Sequence, residues 1–305
     1  MEKVGRVFVD YTYYPGEDLY CDGDVENELL EIVKQYPESE YNRVIHEKRK
    51  WPILYHLSQV RENILEWLPI TKEHMVLEVG SGCGAVTGAL ARKAGKVTCI
   101  ELSEKRSLIN ANRHKNCDNI EIHLGNFEEV EQHIEELYDY ITLIGVLEYS
   151  ELYIHQEQPF VRMLQIVAKH LKPGGKIIVA IENRMGLKYW AGCKEDHVGM
   201  YFEGIEGYCN TDTVRTFTKR ELEEIIKEAN VGNAVWYYPY PDYKFANVIY
   251  SDSYLPKCGE LQNNSCNLDS ERMLLFNDTL VYDELIRNGL FTLYANSFLV
   301  EIQKG

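Results

Sequence analysis

Three observations make this chain a doubly wound α/β protein with a mainly parallel sheet. Short apolar runs alternate with amphipathic stretches at helical spacing. The run at 75–79 leads straight into the glycine cluster Gly80-Ser81-Gly82-Cys83-Gly84. A Lys172-Pro173-Gly174-Gly175 stop separates an amphipathic helix from a further apolar run at 176–181. Strands separated by helices pair in parallel with helices on both faces, and ligands settle beyond the carboxyl ends of such strands.

The elements follow in order. Residues 1–70 read as a helical extension. Asp24 caps a helix carrying Val25, Leu29, Leu30, Ile32 and Val33, and Pro52 opens a second with Ile53, Leu54, Leu57, Val60, Ile64, Leu65 and Leu68 along one face. The cofactor-sized core spans 71–182, with strands at 75–79, 96–102, 120–124, 140–146 and 176–181. Helices lie at 85–93, after Ser103, and at 159–171. A substrate-facing insertion takes 183–215. In 216–305, Thr218 and Glu221 form a capping box, and late strands fall at 235–238, 247–250 and 298–302. An insertion at about 251–294 holds a helix from Asp269 or Ser270 through Phe276 and another at 278–290.

Composition narrows the classes. In 305 residues, 45% are hydrophobic and 26% charged, which suits a folded core rather than disorder. With 32 Lys and Arg against 48 Asp and Glu, the net charge of −16 repels a polyanion, so nucleic acid is not expected as a partner. No apolar run nears the ~20 residues that span a bilayer, and no leader-like segment opens the sequence. A cytoplasmic location is expected. The eight cysteines form no CxxC pair and read as reduced thiols, and the nine histidines show no paired metal spacing.

The residues that carry chemistry begin with Glu78 and the glycine turn. Glycines after a strand allow a tight turn and a close backbone approach to a ligand. Glu101, at the end of the next strand, can accept both hydroxyls of a ribose. The turn also satisfies GxGxxA, so an NAD-dependent oxidoreductase stays open. Glu78 weighs against it: a carboxylate two residues before the first glycine opposes a pyrophosphate and welcomes an ammonium group. S-adenosylmethionine (SAM) carries an ammonium, a sulfonium and no phosphate.

At this point the sequence resembles the class I SAM-dependent methyltransferases. The pieces are EVGSGCG at 78–84, CIEL at 99–102, LGNF at 124–127, YITLIGVLEY at 140–149 and LKPGGKIIVAIEN at 171–183. The resemblance implies a Rossmann-like seven-stranded sheet and SAM as cofactor. It places Glu78, Gly80, Ser81, Gly82 and Gly84 at the methionine part, Glu101 with Leu102 at the ribose, and Asn126 with Phe127 at the adenine. Glu148 then stands near the reaction centre. The stretch 181–208 and Tyr238-Pro239-Tyr240-Pro241-Asp242-Tyr243-Lys244 resemble a bacterial group associated with surface-polysaccharide biosynthesis. That implies a sugar or glycan acceptor, and association with glycosyltransferases or a homodimer.

Tyr189, Trp190, Tyr201, Phe202, Tyr208, Tyr238, Tyr240 and Tyr243 gather in these loops and offer faces for sugar rings. Methyl transfer needs the acceptor held in line with the breaking bond, and a sugar hydroxyl gains from a positioned base. His197 is the first candidate because its ordinary pKa lies near neutrality. Asp196 or Glu195 would orient it, and Glu148 and Glu182 are rival bases. No metal site is expected from spacing, although Glu195, Asp196, His197 and Glu203 could meet around an ion. A non-catalytic SAM-binding module is the remaining alternative.

Overall fold

The computed structural model describes residues 2–18, 23–211, 214–264, 268 and 272–305. The chain falls into two units, Met1–Leu143 with Lys169–Lys176, and Ile144–Ala168 with Ile177–Gly305. In the first, β1 (Glu2–Val4), β2 (Val7–Asp10), β3 (Met75–Val79), β4 (Lys96–Glu101), β5 (Ile120–Leu124) and β6 (Tyr138–Ile144) lie in the order β1-β2-β5-β4-β3-β6. All run parallel except β1, which is antiparallel to β2. The central strands MVLEV and KVTCIE are buried at every position after the first. Strands covered on both faces need no polar alternation, which is why they read as continuous apolar runs.

Helices α1 (Asp24–Gln35), α2 (Tyr41–Lys48), α3 (Trp51–Leu57) and α4 (Asn63–Glu66) precede β3. Helices α5 (Thr87–Lys93) and α6 (Glu104–Arg113) follow β3 and β4, and the short α7 (Phe127–Val130) follows β5. Leu29, Ile32 and Val33 of α1, Tyr41 and Val44 of α2, and Ile53 and Leu57 of α3 form one cluster with Ile109 of α6 and Cys83 of the glycine turn. The early helices therefore brace the turn from behind.

The first seventy residues are not purely helical. Val7 and Val9 are buried, with Phe8 facing outward between them, and β2 pairs with β5 from Phe8↔Glu121 to Asp10↔His123. Four residues after a glycine are too few for periodicity to announce a strand; pairing with β5 decides it. Gly23, not Asp24, is the N-cap of α1, and Asp24 lies in its first turn. The long helix expected from Pro52 breaks at Ser58, which turns extended and caps a 3₁₀ turn at Gln59–Glu62, its Oγ accepting from Val60 N at 3.3 Å.

The second unit holds α8 (Ser150–Tyr153), α9 (Pro159–Lys169), most of the buried half of β7 (Leu171–Glu182), α10 (Leu187–Trp190), α11 (Lys219–Ala229), β8 (Asn233–Tyr240), β9 (Val248–Ser251), α12 (Asp278–Arg287), α13 (Phe291–Tyr294) and β10 (Ser297–Gln303). Its strand order is β7-β10-β8-β9, with β8 antiparallel to both neighbours. The capping box of α11 is present: Thr218 Oγ1 accepts from Glu221 N at 3.2 Å, and Glu221 Oε2 accepts from Thr218 N at 2.8 Å.

Ten strands stand among the described residues where seven were expected. The short strands β1, β2 and β9 extend the ladders by adding to longer ones. Among the described residues, 272–276 form no part of the helix expected through Phe276. Asp269 and Ser270 lie outside the described residues, and Met273 N and Leu275 N donate instead to Gly192 O and Ala191 O at 3.1 and 3.4 Å. Backbone groups satisfied by a distant segment in this way have no need of a helix. Among the described residues no helix is long and apolar enough to cross a membrane. Cys83, Cys99, Cys117, Cys193, Cys209 and Cys258 are free thiols, and Cys21 and Cys266 lie outside the described residues.

Candidate functional site

In the first unit, the turn after β3 takes Gly80, Gly82 and Gly84 into left-handed backbone with φ of 69°, 53° and 77°. Gly80 N donates to Ile100 O at 2.9 Å, which ties the turn to β4. A side chain at Gly82 would meet open space, whereas a Cβ at Gly84 would fall 2.4 Å from Asn110 Oδ1 and 3.1 Å from His114 Nε2. The turn is thus supported on its inner side and open on its outer side. His114 Nε2 lies 3.1 Å from Gly84 O, and burial beside Arg113 lowers its pKa to about 4, so the ring stays neutral.

Glu78 is buried on β3. Its Oε2 accepts from Thr87 Oγ1 at 2.7 Å and from Cys99 Sγ at 3.6 Å, and Asn110 Nδ2 donates to Thr87 Oγ1 at 3.1 Å. Burial pushes its pKa up to about 7, against the hydrogen bonds that favour the charged form. Glu101 at the end of β4 holds the turn: its Oε2 accepts from Gly82 N at 2.7 Å, and its Oε1 from Leu102 N at 3.0 Å and Ser103 N at 3.1 Å. Burial raises its pKa as well. A carboxylate offers about four acceptor directions. Three are taken, leaving one for a ribose hydroxyl where the sequence suggested two.

Asn126 is the N-cap of α7, with Oδ1 accepting from Glu128 N at 3.0 Å. Its side-chain oxygen thus spends one of two lone pairs on a helix end. Phe127 is buried in the same first turn. Asp18 was not anticipated. Its carboxylate accepts from Glu104 N at 2.6 Å, Ser103 Oγ at 2.9 Å and Lys105 N at 3.3 Å, so it caps α6 from a distant segment.

In the second unit, Glu148 follows β6, Glu182 ends β7, and His197 comes from the loop after α10. His197 Nε2 lies 3.5 Å from Glu148 Oε1 and 4.0 Å from Glu182 Oε2. Its Nδ1 lies 3.1 Å from Glu195 Oε1. Glu195 is itself fixed by His197 N and Val198 N, both at 2.7 Å, and by Tyr208 OH at 3.1 Å. The imidazole is buried among three carboxylates. Their hydrogen bonds and charge outweigh desolvation and push its pKa well above the usual range. The carboxylates around it thus favour the protonated ring.

Asp196 does not orient the ring. Its oxygens pair with Lys188 Nζ at 2.8 Å and Lys244 Nζ at 2.5 Å and accept from Tyr189 OH at 2.5 Å. The two ammonium groups hold its carboxyl far below the ordinary range. Lys244 also lies 2.6 Å from Glu182 Oε1 and draws that carboxyl down, while burial draws Glu148 up. Glu203 is apart from this cluster, accepting from Asn210 N and Nδ2 at 2.7 Å each. Most of the aromatic side chains expected to face sugar are interior: Tyr189, Tyr208, Tyr238, Tyr240 and Tyr243 are buried, and Trp190 is exposed. Lys188 and Lys244 carried no signal alone, though both lie in the segments whose resemblance marked this region.

Residues 77–177, which carry β3 through the first half of β7, match the model of a family described as a methyltransferase domain. The ubiquinone biosynthesis O-methyltransferase of Hydrogenovibrio crunogenus is 28% identical over 141 residues, covering 45% of this chain and 55% of that protein. The ribosomal RNA small subunit methyltransferase A of Clostridium acetobutylicum is 26% identical over 159 residues, covering 51% of this chain and 54% of that protein. The chain spans about half the length of these curated relatives. A SAM-dependent methyltransferase from Archaeoglobus fulgidus shares the fold, with a TM-score of 0.50 and 13% identity over 81% of this chain and 95% of that one. The match lays a methyltransferase-domain pattern over residues 77–177, and the solved structure shows the same fold.

Proposed function

We propose that the chain is a SAM-dependent methyltransferase that O-methylates a sugar hydroxyl of a cell-surface glycan or of its nucleotide- or lipid-linked precursor. The observation that carries the donor half is the acid–glycine turn. A buried carboxylate raised to about 7 at Glu78 gains from a neighbouring cation. Glu101 fixes the turn through Gly82 and keeps one acceptor direction, and Gly82 leaves room on the outer side. These features fit the ammonium, ribose and bulk of SAM, and they disfavour the pyrophosphate of NAD. When bound, the cofactor supplies an activated methyl group. In this reading Glu78 favours its ammonium and Glu101 its ribose, while Asn126 and Phe127 serve the adenine.

The acceptor half is assigned to the second unit. Glu148 takes the hydroxyl proton, because burial raises its affinity for one and its Oε2 has no hydrogen-bond partner. His197, as a cation beside it, stabilises the ionised carboxylate. Glu182 and Asp196 are held by Lys244 and play the lesser, positioning part. Support for a glycan comes from the resemblance over 181–208 and from the acidic surface. Association with glycosyltransferases, a second copy, or both belongs to the same proposal, as does a cytoplasmic site of action.

A second reading has specific support. Curated relatives include ribosomal RNA methyltransferases, so the exclusion of nucleic acid drawn from net charge does not stand by itself. One experiment separates the two. The chain is incubated with labelled SAM and, in parallel, with a cell-envelope extract and with ribosomal RNA. Label in the glycan fraction supports the first reading. Label in RNA alone replaces it and keeps the methyltransferase. S-adenosylhomocysteine binding with no label anywhere supports the non-catalytic module, and tight NADH binding in its place overturns the donor assignment.

A further inference from the structure

We infer that Glu148, Glu182 and His197 form a binding site for one divalent metal ion. One donor atom from each lies within 4.8 Å of the others. The closest approaches are 3.5 Å from His197 Nε2 to Glu148 Oε1 and 4.0 Å to Glu182 Oε2. Around an ion with bonds of about 2.1 Å, neighbouring ligands stand ~3.0–3.4 Å apart. Closing all three on one centre takes a contraction of about half an ångström in the His197 pairs and of at most about 1.5 Å in the widest one. All three belong to the second unit, on β7, the turn after β6 and the loop after α10.

Two independent features point to a ligand. First, Glu182 is wholly buried, with Oε1 paired to Lys244 and Oε2 accepting no hydrogen bond; Glu148 Oε2 is likewise buried without one. Buried carboxylates left this way are costly unless a cation meets them. Second, the supports are those of a metal-bound histidine. The far ring nitrogen meets the buried carboxylate of Glu195, which backbone N–H groups and Tyr208 hold in place. Such a carboxylate fixes the tautomer and turns Nε2 toward the ion. Lys244 does the same for Glu182 through its other oxygen. Lys188 faces Asp196 and Asp242, and Lys244 faces Glu182 and Asp196, while Glu148 and Glu195 face the His197 ring. A divalent ion offsets the excess negative charge.

One imidazole nitrogen with two carboxylate oxygens suits Mn²⁺, Fe²⁺, Co²⁺ or Zn²⁺ better than Ca²⁺. Binding displaces the proton from His197 Nε2 and uses Glu148 through Oε1. Glu148 Oε2 stays available to take a proton from a hydroxyl that the ion polarises. That catalytic role rests on the methyltransferase reading; binding itself does not.

The full chain, stripped with a chelator, is titrated with Mn²⁺ by calorimetry and by electron paramagnetic resonance, without cofactor. One ion per chain is expected, with affinity lowered at least tenfold by Glu182→Gln and less by Glu195→Gln. Circular dichroism and an unchanged S-adenosylhomocysteine affinity show that the variants are folded. A folded wild type that takes up no Mn²⁺, Co²⁺ or Zn²⁺ at millimolar concentration overturns the proposal, as does uptake that Glu148→Gln and Glu182→Gln leave unchanged. Loss of S-adenosylhomocysteine binding with metal uptake intact counts against the donor assignment alone.

Discussion

Glu78 shows how one side chain couples folding to ligand binding. Its pKa is raised from 4.5 to about 7 by burial. The folded state therefore holds a proton that the unfolded chain has already released. The resulting stability is fully present below pH ~4.5 and is lost as pH rises through about 7. The shift corresponds to roughly 3–4 kcal/mol. Glu78→Gln should remove that slope, so that the variant is more resistant to urea than the wild type at pH 8 and similar to it at pH 4.5–5. It should also bind S-adenosylhomocysteine more weakly. A parallel slope in the variant would place the titration elsewhere. Gly84 tests the turn by shape. Its φ of 77° and the 2.4 Å approach of a built Cβ to Asn110 leave no room for a methyl group. Gly84→Ala should cost ~1–3 kcal/mol by thermal unfolding and reduce cofactor affinity.

At the scale of elements, α6 depends on a residue far from it in sequence. Asp18 accepts from three donors at its start, while Ser103 Oγ accepts from Arg106 N at 3.2 Å. Asp18→Ala should lower stability by about 1 kcal/mol, the usual worth of a helix cap, and Asp18→Asn by less, measured as urea midpoints. Only the Ser103 part of this arrangement was legible in the sequence, because caps read by local spacing cannot report a partner eighty residues away. The same contrast runs through the fold. The strands at β3, β4 and β5, the Thr218 box and the acid–glycine turn all declare themselves through short-range pattern. The pairing of β2 with β5, the break at Ser58 and the extended run at Met273–Leu275 are settled by distant backbone partners. In the candidate site, Glu148, Glu182 and His197 were legible as types in motif positions. The raised proton affinity of His197 was not, because it is set by Glu195 and Glu148 converging from different elements.

For the molecule as a whole, net charge supplies a test that needs no mutation. A glycan acceptor, bound by hydrogen bonds and apolar contact, should be methylated at nearly the same rate between 50 and 200 mM salt, conditions over which a protein with several phosphate contacts loses ~10³-fold or more in affinity. Initial rates on the labelled fraction at the two salt concentrations separate the acceptor classes even before the product is identified. A steep fall with salt would favour RNA despite the charge of −16.

The pairing of Phe8 with Glu121 and Asp10 with His123 also sets the order in which the first unit can be completed during synthesis. Contacts between segments far apart in sequence slow folding, because the intervening loop must close before they contribute. Until β5 has left the ribosome, Val7 and Val9 can pair only with the short β1, and Asp18 has no α6 to cap until that helix has formed. The β2 segment is made before the strand it pairs with and docks late. Substitutions at Val7 or Val9 should therefore act mainly through unfolding rate and leave refolding rate nearly unchanged, as positions that form after the transition state do. Stopped-flow refolding and unfolding of Val9→Ala check this, and a matched slowing of refolding would place the strand in the nucleus instead.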